Sequence, residues 1–456
     1  LLIIPAIVVL FTFVYWRLHQ VYDFFQPLNF YTAAALVAFG FLLDVGTKAI
    51  RVRGSTLLVL LGAFFLWSTI TVIIKAPDQL SAELIFMATA LIAYLAVSEG
   101  PQGLRGFGVI AGILVLFSIA LASLGVTQGL TPTVCYTRVD LVRGGNDMEV
   151  SDGRPCDVSA DCVSGGIPGK EYRCEHPGLL DTHSIGGRVR YRGILEDPNE
   201  LSWAINMAVP LAFGLYERRR TLRRLLLALV TLVLGATCVI MTQSRSGQLG
   251  ILAALGVYFI RRLGWKGVVV GAVASLPLLI LGGRSGESAE SSSEERLNAW
   301  NEAYTMFKES PVLGVGKGQF IEHYFLTAHN SFLLALAEIG PFGLFLWCAV
   351  LYYAVKVTVQ AQRQLAGRPE AATARNWATA VLASLTGLII SALFLTLNYH
   401  TVLWINIGLV GALYNAVRIH EPTFRVRFGW RDAGIVVALE IALVGGIAGY
   451  LRMKGI

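Results

Sequence analysis

Thr327-Ala328-His329-Asn330-Ser331 puts an imidazole where the chain leaves a glycine-marked turn and enters a long apolar run. A polar ring at a water–hydrocarbon boundary is costly unless it is solvated, paired or used. With a reference pKa of about 6.5, imidazole can take or hold a proton near neutral pH. His329 is therefore read as the candidate catalytic residue, with Asn330 beside it and Arg296 upstream as supporting groups.

Two guanidinium groups are expected at the same level. Arg192 ends a long polar segment, and Arg245 lies in Thr242-Gln243-Ser244-Arg245-Ser246-Gly247, a turn too short to reach far from the apolar helices around it. Guanidinium forks match phosphate oxygens bidentately and stay charged at any working pH. Arginines that only snorkel to lipid phosphates are the plainer alternative for each residue alone. Three such groups on separate segments point to a shared anion site. Glu196, Asp197 and Glu200 also cluster, but Asp197-Pro198-Asn199 reads equally well as a turn and helix start, so no metal is assigned. Gly314-Val315-Gly316-Lys317-Gly318 is not a P-loop, because no strand precedes it and no Ser or Thr follows the lysine.

Helices in a bilayer must position these residues. The hydrophobic fraction is 55%, charged residues make up 15%, and a soluble domain is excluded. Apolar runs at 2–16, 29–44, 55–74, 80–98, 106–126, 199–216, 223–241, 247–261, 266–282, 329–355, 375–397, 401–418 and 432–451 predict an all-α polytopic membrane protein of about 12–13 helices. The first run reads as a membrane helix, not a cleavable signal peptide. Basic residues cluster at Lys48/Arg51/Arg53, Arg218–Arg224, Arg261/Arg262/Lys266, Lys356–Arg375 and Arg418–Arg431, all on one side of that topology. This is the positive-inside pattern, so the net charge of +7 marks orientation and not nucleic acid. His329, Arg192 and Arg245 then face the outside.

The organisation follows. Residues 1–126 and 199–282 are helical membrane segments, separated by an external cysteine-bearing loop at 127–198. A second external loop, 283–328, precedes C-terminal helices at 329–456. Cys135, Cys156, Cys162 and Cys174 share the first loop without a C-x-x-C pair, which predicts two disulfides whose pairing stays open. In the second loop, Ser292-x-x-Glu295 suggests a capping box. Leu297, Trp300, Tyr304 and Phe307 follow at helical spacing, as in a helix lying along the membrane surface. Glu83, Glu338 and Glu440 fall inside apolar runs, where carboxylates usually face the bundle interior, and Glu338 is expected to brace packing below His329. His400 is read as an interface residue, and His176, His183 and His323 as solvated loop residues.

Three blocks resemble the O-antigen ligase family: Arg296-x-x-x-Trp300 with Pro311-x-x-Gly314-x-Gly316-x-Gly318-x-Phe320; Ala328-His329-Asn330-Ser331 with Glu338-x-Gly340-x-x-Gly343; and Ser244-Arg245-Ser246-Gly247. Gly193 with Asp197-Pro198-Asn199 fits the same pattern, so the resemblance covers about 190–415 and leaves out the cysteine loop. It implies a C-type membrane glycosyltransferase on the periplasmic face of the bacterial inner membrane. The donor would be a glycan on undecaprenyl diphosphate, with no metal or other cofactor. Arg192 and Arg245 would hold the diphosphate, while His329 would act on the acceptor hydroxyl or add a cation. Ligation to lipid A-core is the first acceptor expected; repeat-unit polymerisation and transfer to a protein hydroxyl are the alternatives. A transporter or flippase is the rival class, and would be expected to carry broken-helix sites near the midplane in two related halves.

Overall fold

A computed structural model describes residues 2–139, 148–281 and 287–455. Each apolar run forms helix. The N-terminal group is α1 (Ile3–Phe11, continued by a π-helical turn to Trp16), α2 (Phe30–Gly46), α3 (Thr56–Lys75), α4 (Leu80–Glu99) and α5 (Leu104–Leu130). After the cysteine-bearing loop come α6 (Pro198–Asn206), α7 (Ala208–Arg218), α8 (Leu222–Met241), α9 (Arg245–Leu263) and α10 (Trp265–Leu281). The remainder is α11 (Glu287–Glu309), α12 (Ser331–Gln364), α13 (Ala372–Ala392), α14 (Thr401–His420) and α15 (Trp430–Met453). Among the described residues, seven helices are long and apolar enough to cross a membrane: α3, α4, α5, α8, α12, α14 and α15. The chain is an all-α polytopic membrane protein.

The core is built on aromatic rings shared between helices. Phe64 of α3, Trp347 of α12 and Trp404 of α14 form a closed triangle, with ring centroids 5.8–6.1 Å apart. Such pairs add roughly 0.5–1.5 kcal/mol beyond their buried area.

α12 is broken. Gly340 has φ +70° and Pro341 follows it, so the helix turns sharply nine residues after Ser331. Proline has no N–H to give the carbonyl four residues back, and a freed carbonyl buried in a bundle must find another donor. Val315 N–H reaches Ala337 O at 2.8 Å, Gly316 N–H reaches Glu338 O at 2.9 Å, and the Trp67 indole reaches Ile339 O at 2.8 Å. The glycine-rich turn is thus fastened to the break. A Cβ on Gly340 would press into Val312 O, and one on Gly314 into Ala337 O and Glu338, so neither position admits a side chain.

Two of the carboxylates inside apolar runs, Glu83 and Glu338, are used by the same turn. Lys317 is buried, pairs with Glu83 of α4, and lies 4.7 Å from the Tyr399 ring centroid. Burial pulls its ammonium down to about 8, against the pull of Glu338. Glu338 Oε1 accepts from Phe320 N–H at 3.3 Å. Glu338 therefore braces the turn as well as the packing beneath His329.

The basic loops gather at the opposite end. There Arg53 N–H donates to Glu99 Oε2 at 3.0 Å, Arg262 Nη2 meets Glu217 at 2.5 Å, and Arg368 pairs with Glu421.

The cysteine loop has more regular structure than its composition announces. Strands β1 (Val134–Val139), β2 (Met148–Pro155) and β3 (Tyr172–Glu175) form an antiparallel sheet in the order β2-β1-β3. The disulfides are Cys135–Cys162 and Cys156–Cys174. Cys135 and Cys174 face each other in register across β1 and β3 yet are not joined. Gln128 of α5 docks this cap, donating to Thr182 Oγ1 at 3.1 Å and accepting from Arg190 N–H at 2.9 Å.

The second loop departs from expectation in two ways. α11 begins by Glu287, so Ser292 lies inside the helix and caps nothing. Its buried stripe, Ala299, Ala303 and Met306, packs onto α12, and Tyr304 reaches Val444 O on α15. Leu297, Trp300 and Phe307 of the expected stripe stay only partly buried. Residues 282–286 lie outside the described residues.

Candidate active site

A cleft of about 450 Å³ opens where three helices begin, at the end away from the basic loops. Asp197, Pro198 and Asn199 come from the start of α6, Gln243 and Arg245 from the start of α9, and His329 from the turn before α12. Arg188, from the end of the cap, and Ser292, Glu295 and Arg296, from α11, close it. Helix N-termini present unsatisfied N–H groups and a positive dipole end, which suits an anion. Three guanidinium groups reinforce that field.

The floor is a hydrogen-bonded junction. Asn199 Oδ1 accepts from Ser244 Oγ at 2.7 Å and from Arg188 Nη2 at 3.2 Å. Ser244 Oγ also accepts Gly247 N–H at 3.0 Å, capping α9. Asp197 Oδ1 accepts from the backbone and side-chain N–H of Asn199, both at 2.8 Å. Arg188 Nε donates to Thr242 O at 2.9 Å, which ties the arginine to the Arg245 turn. Gly247 lies so close to Ser202 of α6 that any Cβ would overlap its hydroxyl. The Asp-Pro-Asn and Ser-Arg-Ser-Gly blocks are one structure.

His329 is held in an uncommon backbone conformation, with φ +46°. A non-glycine residue in the left-handed region costs of order 1–3 kcal/mol and persists only when its surroundings over-determine it. They do so here. Thr327 Oγ1 bonds Thr396 Oγ1 at 3.0 Å; Ser331 Oγ donates to Leu395 O at 2.6 Å and accepts Leu397 N–H at 2.9 Å; Asn398 Nδ2 reaches Ser331 O at 2.7 Å. Asn330 caps α12, its Oδ1 accepting Phe332 and Leu333 N–H at 2.9 and 3.1 Å, so its side chain is spent on structure. Burial and the nearby Arg296 guanidinium lower the pKa of His329, opposed by Asp197. The direction of that shift favours the uncharged ring.

Arg192 does not share the cleft. Its guanidinium donates to Gln20 O at 3.1 Å and to Leu180 O, lining a smaller neighbouring hollow of about 260 Å³. Arg188 stands where Arg192 was expected. The arginines at 188, 190 and 192 alternate, and only docking against the Thr242–Gln243 turn selects which one enters. Glu196 lines both hollows and pairs with Arg190 at 3.4 Å. His400 is also not a surface group: it caps α14, stacks edge-on against Trp203 at 4.9 Å and lies 3.7 Å from Glu200. His183 and His176 fasten the cap, His183 through Glu149 at 2.5 Å and His176 through Thr131 O at 2.6 Å. The sulfurs of Cys135, Cys156 and Cys162 lie within 4.8 Å of one another, but as disulfides they offer no thiolate to a metal.

Fold and cleft define a polytopic membrane protein with an arginine-rich, histidine-bearing site at one end of its bundle. Residues 230–348 match the O-antigen ligase family model. That span contains Arg245, Arg296, His329, the glycine-rich turn and the break in α12; Arg188, Asp197 and the cap lie outside it. Comparison with curated proteins found no match.

Proposed function

We propose that the protein is a glycosyltransferase of C-type architecture, moving a glycan from undecaprenyl diphosphate to an acceptor hydroxyl at the periplasmic face of the inner membrane. O-antigen ligation to lipid A-core is the preferred acceptor reading. The observation that carries it is the placement of His329, in its over-determined backbone conformation, in one cleft with Arg188, Arg245 and Arg296.

The chemistry then follows from the residues. Arg188 and Arg245, with the N-termini of α6 and α9, hold the diphosphate. His329 takes the proton of the acceptor hydroxyl as its oxygen bonds to the sugar's anomeric carbon. The anomeric carbon–phosphate oxygen bond breaks, and undecaprenyl diphosphate leaves with the electron pair. Positioned cations stabilise the charge that grows on the departing oxygens. They supply that stabilisation without calling on a metal.

The break in α12 could suggest a transporter, since such proteins line solute paths with interrupted helices. Here the freed carbonyls accept from Val315, Gly316 and Trp67 instead of facing a path.

The test is transfer in vitro with undecaprenyl-diphosphate glycan and, in parallel, lipid A-core, a second lipid-linked repeat or a serine/threonine peptide. Product with lipid A-core supports ligation. Product with only one of the others reassigns the acceptor, and no product from any would defeat the enzyme reading.

A further inference from the structure

A cavity of about 820 Å³ lies at the other end from the arginine cleft. α5 links the two ends: Leu104 to Gly106 line the cavity, whereas Gln128 holds the cap. At 1.5 Å per residue the separation is roughly 35 Å, about a bilayer's hydrocarbon thickness. This cavity sits among the basic loops.

Its walls are of two kinds. Leu104, Val417 and Ile419 present hydrocarbon, and Ile419 is 38% exposed. Arg105, Arg218 and Arg368 bring cations, with Glu370 and Glu421 as the acids. Glu421 is taken by Arg368. Among the described residues no carboxylate pairs with Arg105 or Arg218. The Arg218 guanidinium lies on Gly108, where a Cβ would overlap it, and beside Trp377. Arg105, Arg219 and Arg224 are all near enough to repel it. A half-buried cation in like-charged company is unfavourable unless an anion is supplied.

We propose that this cavity binds the phosphate headgroup of an anionic phospholipid, with Arg105 and Arg218 on the phosphate and the acyl chains along Leu104, Val417 and Ile419. Basic pockets between helices at the cytoplasmic side of membrane proteins suit such headgroups. A free phosphate would answer the arginines but leave the apolar wall uncovered. The inference is independent of the glycosyl-transfer reading.

Full-length protein in detergent is titrated with tetraoleoyl cardiolipin, dioleoyl phosphatidylglycerol, dioleoyl phosphatidylcholine or inorganic phosphate, and bound molecules are counted by native mass spectrometry. The anionic lipids should bind about tenfold or more tightly than phosphatidylcholine. The Arg105→Ala/Arg218→Ala double variant should lose that preference, and Lys266→Ala, exposed on a basic loop that does not line the cavity, should keep it. Equal affinity for charged and zwitterionic lipid, or an unchanged double variant, overturns the proposal. Arginine-dependent capture of inorganic phosphate without lipid preference overturns it too. Should the double variant not fold, Arg105→Gln, at an exposed position, must still weaken anionic-lipid binding several-fold.

Discussion

The side-chain oxygen of Asn199 accepts the Ser244 hydroxyl at 2.7 Å, joining the first turn of α6 to the first turn of α9 beneath the arginine cleft. Arg188 shares that oxygen at 3.2 Å. One amide therefore sets the spacing of the two arginine-bearing segments. Asn199→Ala should lower transfer about tenfold or more while protein yield changes little, since a buried hydrogen bond to a charged group contributes about 1.5–3 kcal/mol. Ser244→Ala also removes a helix cap worth about 1 kcal/mol, so it should lower both activity and melting temperature. Wild-type kcat and KM in Asn199→Ala would refute the positioning role.

Arg188 and Arg192 separate cleanly. Arg188→Ala should cut transfer by about a hundredfold, because it removes a charge-assisted contact from the diphosphate site. Arg192→Ala should act mainly on the docking of the cap to the 17–29 segment, seen as lowered thermal stability with transfer largely kept. The reverse ranking in a rate assay would return the diphosphate to Arg192.

His329 should give an acid limb to the pH profile. Burial and the Arg296 guanidinium hold its pKa below the ordinary value, which favours the free base. Falling pH protonates it and removes the acceptor; transfer should drop on the acid side of about 6.5 and stay flat from about 7 to 8. His329→Ala should lose a hundredfold or more in kcat, roughly the contribution of a positioned base. Activity that rises as pH falls below 6 would instead make His329 a cation.

Gly340→Ala should be a folding variant, not a catalytic one. The new methyl would strike Val312 O at a left-handed backbone position. A loss of several kcal/mol is expected, read as poor membrane yield or a sharply lowered melting temperature. A well-folded, fully active Gly340→Ala protein would contradict the fastening of the glycine-rich turn to α12.

Peptide mapping without reduction should recover Cys135 with Cys162 and Cys156 with Cys174, leaving Cys238 and Cys348 as thiols. Reduction should loosen the cap by about 3 kcal/mol for each bridge on the chain-entropy view. Four alkylatable loop thiols in native protein would rule the bridges out.

Much of the architecture was legible in advance. Apolar length located the helices, because a backbone in hydrocarbon can satisfy its polar groups only internally. The basic loops assigned a common end for the same reason that charges stay out of lipid. Less was legible where contacts run between distant segments. Ser292 looked like a cap, but helix propensity carries α11 further back. Cys135 and Cys174 proved to be cross-strand neighbours bonded elsewhere.

The sequence by itself determined that an imidazole and fixed cations sit at the ends of apolar helices. Period, length and charge are local properties of the chain. Tertiary structure decided that Arg188 and not Arg192 shares the cleft with His329, that Asn330 is a cap, and that burial and Arg296 shift the ring toward its uncharged form. Those outcomes depend on which groups are buried together and which hydrogen bonds are already taken. A packed bundle sets both, and no single segment encodes either.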